Sequence, residues 1–164
     1  LAQGVDKRKI IPNRKTKSIS CEQTFQKNQA KLDVLTGFLW DLTEKISARL
    51  RAQSLVAGKV NLKLKNADFK ITVRSITMDR PSDSPERIFQ SSKILLQNNI
   101  SAGPFRLMGL TLTNLSNPKT CYGNKDFFEP QNDHIIAMET AIEQIRFKFG
   151  KNSIIKGRSL KNFT

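Results

Sequence analysis

The sequence combines a moderate length with a large excess of positive charge. It has 164 residues, 38% of them hydrophobic, and a formal net charge of +14 from 28 basic and 14 acidic residues. This length is enough for one domain with a buried core and some additional tail. The charge favours a polyanionic partner, nucleic acid or an acidic membrane surface, and the alternative is a charge that only keeps the protein dispersed.

The composition argues against a membrane span and against a metal site. No apolar run in the sequence approaches the length that crosses a bilayer. Cys21, Cys121 and the single histidine, His134, lack the spacing of a zinc site. We therefore expect reduced thiols, no bound metal, no membrane contact and a cytoplasmic location. Because the chain starts at Leu1 rather than at a methionine, we expect it to be a fragment of a longer protein.

The first 16 residues are predicted to form an exposed basic linker. Six of the eleven residues from 7 to 17 are basic, and Pro12 interrupts the run. Alternation of polar and apolar residues over 18–25 then predicts a strand. The linker would bring Arg14 and Lys17 beside the sheet that contains this strand.

Two helices are predicted before residue 100. Leucine and isoleucine recur at spacings of three and four over about 30–55, the pattern of one apolar helix face. The second helix starts at Ser84, a favourable N-cap residue, followed by Pro85 in the first turn, and it continues to about residue 98.

The stretch 58–78, GKVNLKLKNADFKITVRSITM, predicts a β-hairpin with one apolar and one basic face. Two alternating runs flank a polar break at 66–68. The predicted inward residues are Val60, Leu62, Leu64, Phe69, Ile71 and Val73, and the predicted outward residues are Asn61, Lys63, Lys65, Lys70, Thr72 and Arg74.

A fourth strand is predicted over 105–115 and a last helix over 133–149. Strict alternation would turn Arg106 inward, so we expect a bulge or a strand start there. The last helix carries an apolar stripe that includes Met138 and Ile145.

This order of elements predicts an α+β fold of the split β-α-β-β-α-β type, with a further C-terminal helix. Its four-stranded sheet would carry two helices on one face and leave the other face open. The expected organisation is a basic linker at 1–16, a folded domain at 17–116, and a loop, helix and frayed tail at 117–164.

No catalytic motif is recognisable, so the residues favour a binding module. The open face would present lysine, arginine, serine and threonine, which suit the phosphate backbone of nucleic acid. With Phe69 predicted to point inward, the face would lack an exposed aromatic ring, and duplex would fit better than stacked single strand. The alternative is a face that only solubilises a half-buried sheet.

Several of these stretches resemble one family. KTKSISCEQTF (15–25) resembles the KSI-x-x-E-x-TF signature that opens the little-finger domain of Y-family translesion DNA polymerases of the DinB type. VNLKLKNADFKITVRSITM (60–78) resembles the family's second and third strands, and FRLMGLTLTNL (105–115) resembles its last strand. Residues 1–16 resemble the end of the preceding thumb domain. The resemblance covers about 1–116.

The resemblance implies that this chain grips primer–template DNA, largely through the backbone, during lesion bypass and DNA repair. The DNA-binding residues implied by the resemblance and by the charge pattern are Arg14, Lys17, Ser18, Ile19, Ser20, Lys63, Thr72, Arg74, Ser75 and Arg106. The family's catalytic carboxylates and Mg²⁺ belong to a palm domain, so we expect no catalysis and no cofactor in this fragment. The parent protein would be a DNA-directed DNA polymerase.

A second resemblance lies in NKDFFEP (124–130), which is similar to the QL-[SD]-LF motif that docks on the bacterial sliding clamp. Asn124, Asp126, Phe127 and Phe128 would be the clamp-binding residues, with the two phenylalanines as apolar anchors. The alternative is that both rings pack on this domain itself.

Two other functional classes stay open at this point. The chain could be a stand-alone RNA-binding protein of ferredoxin-like fold, which would prefer structured RNA to primer–template DNA. It could also be a protein-interaction module that docks through its tail, which would bind a partner without dependence on salt.

Overall fold

A four-stranded antiparallel sheet forms the centre of the structure, a computed structural model that describes residues 15–118, 133–150 and 153–157. In chain order the elements are β1 (Ile19–Gln29), α1 (Leu32–Ala52), β2 (Val56–Asn66), β3 (Ile71–Ser82), α2 (Pro85–Gln97), β4 (Phe105–Ser116) and α3 (Asp133–Phe149). The spatial strand order is β1-β4-β2-β3. The predicted fold class, the β-α-β-β-α-β order and the extra C-terminal helix are confirmed.

The two helices between strands cover one face of this sheet. Helix α1 lies over β1 and β4, and α2 lies over β2 and β3. The α1 stripe predicted from residue spacing is buried, and Leu39, Ile46 and Leu50 have no exposed surface. The helices meet where Trp40 packs edge-on against Phe89, with ring centroids 5.1 Å apart. All of this packing is on one side, so within residues 15–118, 133–150 and 153–157 the other face of the sheet is left open.

The side-chain directions predicted for β3 are wrong. Directly paired residues in an antiparallel ladder point to the same face, and β2 pairs with β3 in one register from residue 59 to 65. The buried Leu62 pairs with Arg74, whereas Lys63 pairs with Val73. Thr72 and Arg74 therefore point to the helix side of the sheet, and Ile71 and Val73 point to the open face.

The reversal has its cause in the apolar pattern of β3, which changes phase along the strand. Ile71 and Val73 occupy odd positions, but Ile76 and Met78 occupy even ones. Without a bulge between them, one pair must face away from the helices. The core takes Ile76 and Met78, and α2 begins directly after this end of the strand. Ile71 and Val73 consequently remain 56% and 53% exposed.

The bulge expected at Arg106 is present. Pairing of β2 with β4 passes from Lys65–Leu107 directly to Asn66–Phe105, so Arg106 is the extra residue on β4. The bulge turns Phe105 into the core at 1% exposure while Arg106 remains exposed. A charged residue is thereby accommodated in a strand whose neighbours are apolar.

Helix α3 contacts α1 through ion pairs rather than through an apolar stripe. Arg146 Nη2 lies 3.3 Å from Glu44 Oε1, and Arg51 Nη1 lies 3.7 Å from Glu139 Oε2. Of the stripe predicted for this helix, Met138 and Ile145 lie outside the core, since they are 49% and 38% exposed. No helix in the described part of the chain is long and apolar enough to cross a membrane.

Candidate nucleic-acid interface

The open face of the sheet is built from alternate residues of all four strands. Pairing across the three ladders brings them together, since paired residues share a face. The face consists of Ser20, Glu22 and Thr24 from β1, Leu107, Gly109, Thr111 and Thr113 from β4, Lys59, Asn61, Lys63 and Lys65 from β2, and Ile71, Val73, Ser75 and Thr77 from β3. We call this set the open face.

The middle of the open face holds an ion pair that spans three strands. Lys63 Nζ lies 2.9 Å from Glu22 Oε2, although β4 runs between their strands. The residue of β4 that pairs with both is Gly109. A side chain there would obstruct the pair, because a Cβ at Gly109 would lie 2.9 Å from Glu22 Cβ and 3.5 Å from Glu22 Oε2. The glycine thus lets lysine and glutamate meet over the backbone of β4.

Hydroxyl groups dominate the part of the open face beyond this ion pair. The Asn61 amide donates to the Thr111 carbonyl oxygen at 3.0 Å and to Thr113 Oγ1 at 3.2 Å. Ser20 lies beside Thr111 on the neighbouring strand, and Ser75 lies beside Asn61. Such a row offers donors to phosphate oxygens and carries no negative charge.

An aromatic ring stands at the β2–β3 turn, where none was predicted to be exposed. Phe69 is 59% exposed, and its φ is 64°, in the left-handed region that ring-bearing residues rarely adopt. Lys65 Nζ lies 4.5 Å from the ring centroid and Arg106 Cζ lies 5.5 Å from it. The expectation that this surface lacks an exposed aromatic ring is therefore wrong.

The predicted DNA-binding residues are distributed over several places. Ser20, Lys63 and Ser75 lie on the open face. Lys17 and Ser18 are exposed just before β1.

The remaining predicted residues are placed differently. Thr72 and Arg74 lie on the helix side of the edge strand, where an Arg74 Nη1 donates to the Val73 carbonyl oxygen at 3.2 Å. Ile19 is 5% exposed and belongs to the core, so its side chain is not available to a ligand. Arg106 occupies the bulge. Arg14 and the proposed clamp motif, Asn124, Asp126, Phe127 and Phe128, lie outside the described residues.

Sequence reasoning missed three contributors to this surface: Gly109, Glu22 as the partner of Lys63, and the exposed ring of Phe69. Cross-strand register creates the first two, and no spacing along the chain reveals them. The sequence did contain a weak indication that the ring of Phe69 is exposed. Phe69 follows Asp68 at the edge of a polar turn, where the alternation of a strand need not have started.

Cys21 lies on the other side of the sheet from the open face. Its thiol donates to the Leu42 carbonyl oxygen, with Sγ and O 3.3 Å apart. Burial raises the pKa of Cys21 to about 11, although the positive charges of Arg49 and Lys45 oppose this shift. The thiol is therefore protonated near neutral pH and poorly suited to be a nucleophile.

Comparisons with known proteins agree with the resemblance described above. A sequence model of the impB/mucB/samB family C-terminal domain matches residues 16–123. DNA polymerase IV 1 of Mesorhizobium japonicum is 35% identical over 157 residues, covering 96% of this chain and 36% of that relative. DNA polymerase IV of Caulobacter vibrioides is 34% identical over 161 residues, covering 98% of this chain and 40% of that relative. The chain thus spans well under half the length of these curated relatives.

Solved structures of low identity share the fold. A Y-family DNA polymerase chimera of Dbh and Dpo4 matches with a TM-score of 0.58 and 14% identity, over 66% of this chain and 31% of that one. A complex of the beta-clamp processivity factor and the little finger domain of PolIV matches with a TM-score of 0.51 and 18% identity, over 58% of this chain and 86% of that one.

Replacing Gly109 by alanine should destabilise the domain more than the same replacement at Gly58. The new Cβ at Gly109 would come 2.9 Å from Glu22 Cβ, whereas at Gly58 its nearest neighbour, Asn114 Cβ, is 3.4 Å away. We expect Gly109→Ala to lower the free energy of unfolding by about 1–3 kcal/mol, the range for an overpacked site, and Gly58→Ala by clearly less. Urea denaturation of both variants measures this, and equal losses would contradict it.

The pH dependence of Cys21 alkylation should differ between the folded and unfolded chain. The thiol has a pKa of about 11 in the folded state and an ordinary value of 9.0. In a Cys121→Ser variant, the alkylation rate of the folded protein should keep rising between pH 9 and 11, and that of the urea-unfolded protein should level off earlier. Because the folded state keeps a proton that the unfolded state releases, stability should fall across the same window. Iodoacetamide kinetics with the same midpoint in both states would contradict this.

Proposed function

Since the chain belongs to the impB/mucB/samB family and carries its C-terminal domain, the little finger of DinB-type Y-family DNA polymerases, we propose that it grips primer–template DNA through its open face. The observation that carries the proposal is the chemistry of this face. Lysines and hydroxyl groups lie side by side on one surface that no helix of the β-α-β-β-α-β unit covers. This mixture suits the phosphate backbone, where cations supply attraction and hydroxyls supply hydrogen bonds without reading the base sequence.

The proposed contacts begin at the linker and continue across the sheet. Lys17 and Ser18 are exposed before β1, and Ser20 continues the line onto the open face. Lys63 adds a cation at the centre, and Ser75 adds a hydroxyl on the edge strand. We propose that Ile19 takes part through its backbone and Arg106 through its exposed side chain at the bulge. Arg14 is proposed as a contact from the basic sequence around it alone.

Thr72 and Arg74 are also proposed to contact DNA, but at the edge of the sheet rather than on the open face. They point away from the open face but lie on β3, the edge strand of the sheet. A long arginine side chain can reach around a sheet edge, and Arg74 is exposed. We propose that these two residues contact the DNA strand that passes along this edge.

The acidic partner of Lys63 bears on how tightly the face binds. Glu22 places a carboxylate on the open face, and its side chain is 54% exposed. An exposed pair of this kind contributes little to stability. Its effect on a phosphate ligand is larger, since the carboxylate both occupies the ammonium group and repels the phosphates. Glu22 therefore tempers the attraction of the face for DNA.

The activity proposed for the longer protein is translesion DNA synthesis. The relatives are called DNA polymerase IV, and this chain spans 36–40% of their length. We propose that polymerisation and its Mg²⁺ ions belong to the part of those proteins that this chain does not span. In this division of labour, the fragment holds DNA and performs no chemistry.

Substitutions of Lys63 and Glu22 should change DNA affinity in opposite directions. Loss of one phosphate contact makes the slope of log affinity against log salt concentration shallower by about one unit. This corresponds to a roughly eightfold loss of affinity at about 0.1 M salt. We expect this of Lys63→Ala, and we expect Glu22→Gln to bind more tightly than the natural chain. Fluorescence anisotropy on primer–template DNA across a salt series measures both effects.

Arg87→Ala is the matched control for this experiment, because Arg87 is an exposed cation on α2, which packs against the other face of the sheet. It should change affinity much less than Lys63→Ala. Equal losses from Lys63→Ala and Arg87→Ala would reject the open face as the binding surface. Tighter binding to an RNA hairpin than to primer–template DNA would favour the RNA-binding alternative. Arg74→Ala in the same series tests the proposed edge contact.

We also propose that NKDFFEP (124–130) docks on a bacterial sliding clamp. The supporting observations are the motif and the fold shared with a little finger domain that was solved in complex with the beta-clamp processivity factor. In such a peptide, Phe127 and Phe128 would fill an apolar pocket of the clamp, and Asp126 and Asn124 would flank them.

Removing the two aromatic anchors should weaken clamp binding strongly. The double variant Phe127→Ala/Phe128→Ala should bind a purified sliding clamp at least roughly tenfold more weakly, the scale of a binding hot spot. Phe147→Ala is the control, since Phe147 is a phenylalanine of α3 that is 95% exposed and outside the motif. Surface plasmon resonance measures all three chains. A clamp affinity that is unaffected by the double substitution would overturn the proposal.

A further inference from the structure

The turn between β2 and β3 holds an aromatic ring out in solvent on a rigid support. Phe69 is 59% exposed and has a positive φ of 64°. Such a conformation costs free energy for a residue with a large side chain, and it persists only where the surroundings enforce it. A phenylalanine that is exposed gains little from burial in the core, so an additional unfavourable backbone conformation is unexpected there.

Hydrogen bonds around the turn supply this enforcement. The Phe69 amide donates to the Asn66 carbonyl oxygen at 3.1 Å, and the Asn66 amide donates to the Lys70 carbonyl oxygen at 3.1 Å. The Asn66 side chain accepts from the Lys70 amide at 2.9 Å. The Ala67 amide donates to the Pro104 carbonyl oxygen at 3.0 Å, which ties the turn to the segment before β4. The backbone beneath the ring is therefore fixed.

Two cations accompany the ring. Lys65 Nζ lies 4.5 Å from its centroid and Arg106 Cζ lies 5.5 Å from it. Lys65 belongs to the open face, and Arg106 is exposed because the bulge in β4 turns it outward. Lys65 and Phe69 are four residues apart at the same turn, whereas Arg106 belongs to β4, which the sheet topology places beside β2.

The chemistry of this group restricts the ligand that fits it. An aromatic ring offers a flat apolar surface for another π system, and neighbouring cations attract a negative charge. An unpaired nucleotide presents both features, a base for the ring and a phosphate for the cations. A base pair inside the duplex offers no such face, because both of its faces are already stacked on neighbouring pairs.

We propose that Phe69 is a stacking platform for one unpaired nucleobase of the bound DNA, with Lys65 and Arg106 holding the adjacent phosphates. This inference rests on the proposed function, since it assumes that the open face holds the neighbouring duplex. It adds a site that recognises the junction between duplex and single strand. The platform is tolerant of sequence, because every base has a π face.

Three DNA duplexes test the proposal, and the first two differ only in the bases of their overhang. One is a duplex with a short single-stranded template overhang, the second carries an abasic overhang with the same number of phosphates, and the third is blunt. We expect the 164-residue chain to bind the first roughly fivefold or more tightly than the second, the scale of one base–aromatic stack. A 2-aminopurine as first unpaired base should change its fluorescence on binding.

Three variants separate stacking from other roles of the residue. Phe69→Asn removes the ring and keeps a residue that tolerates positive φ. It should bring the ratio of affinities for the natural and the abasic overhang close to one. Phe69→Trp should preserve the ratio. Ile94→Ala is the control, since Ile94 is an apolar residue of α2 that is 48% exposed and lies away from the open face, and it should also preserve the ratio. Circular dichroism and thermal melting verify that each variant is folded.

Four other results would overturn the stacking proposal, and only one of them would also overturn the proposed binding of DNA. A natural chain that binds all three DNAs equally has no base platform, while its duplex binding still supports the proposed function. A ratio that survives Phe69→Asn assigns stacking to another residue. Equal weakening of all three DNAs by Phe69→Asn means that the ring only shapes the turn. No binding to any of the DNAs rejects both the platform and the proposed function.

Discussion

The register of the central strand β2 is the constraint on which the other features depend. This strand pairs with β3 on one side and with β4 on the other, and both pairings are continuous through its middle part. Because side chains alternate between faces, a shift of one residue would exchange the core and the open face. Burial of Val60, Leu62 and Leu64 fixes the register. Every cation and hydroxyl of the open face is positioned as a consequence.

The same constraint explains why the open face is not simply a row of lysines. Pairing places Glu22, Gly109 and Lys63 in one line across three strands, and the missing side chain at the middle residue lets the outer two meet. A surface with positive charge and one internal carboxylate attracts phosphate less strongly than its lysine content suggests.

Edge strand β3 is where motif and geometry separate. The resemblance implied DNA contacts for Thr72, Arg74 and Ser75 alike, but adjacent residues of a strand cannot all point to one side. Ser75 points to the open face, and Thr72 and Arg74 point to the other. Sequence similarity therefore identifies the family but does not assign each residue of the motif to one surface. Exposed Ile71 and Val73 occupy the places expected for the polar residues.

The sequence by itself determined the order of elements, the α1 stripe, the start of α2 and the bulge at Arg106, because these depend on periodicity and local turn chemistry. It also determined the family, through motifs spread over the chain. Only the tertiary structure decided which face of β3 is buried, since its apolar pattern fits either choice until helix α2 covers one end. It likewise decided the Lys63–Glu22 pair and the exposure of Phe69, which arise where distant strands meet. Contacts between such strands depend on register, and register is a property of the folded sheet.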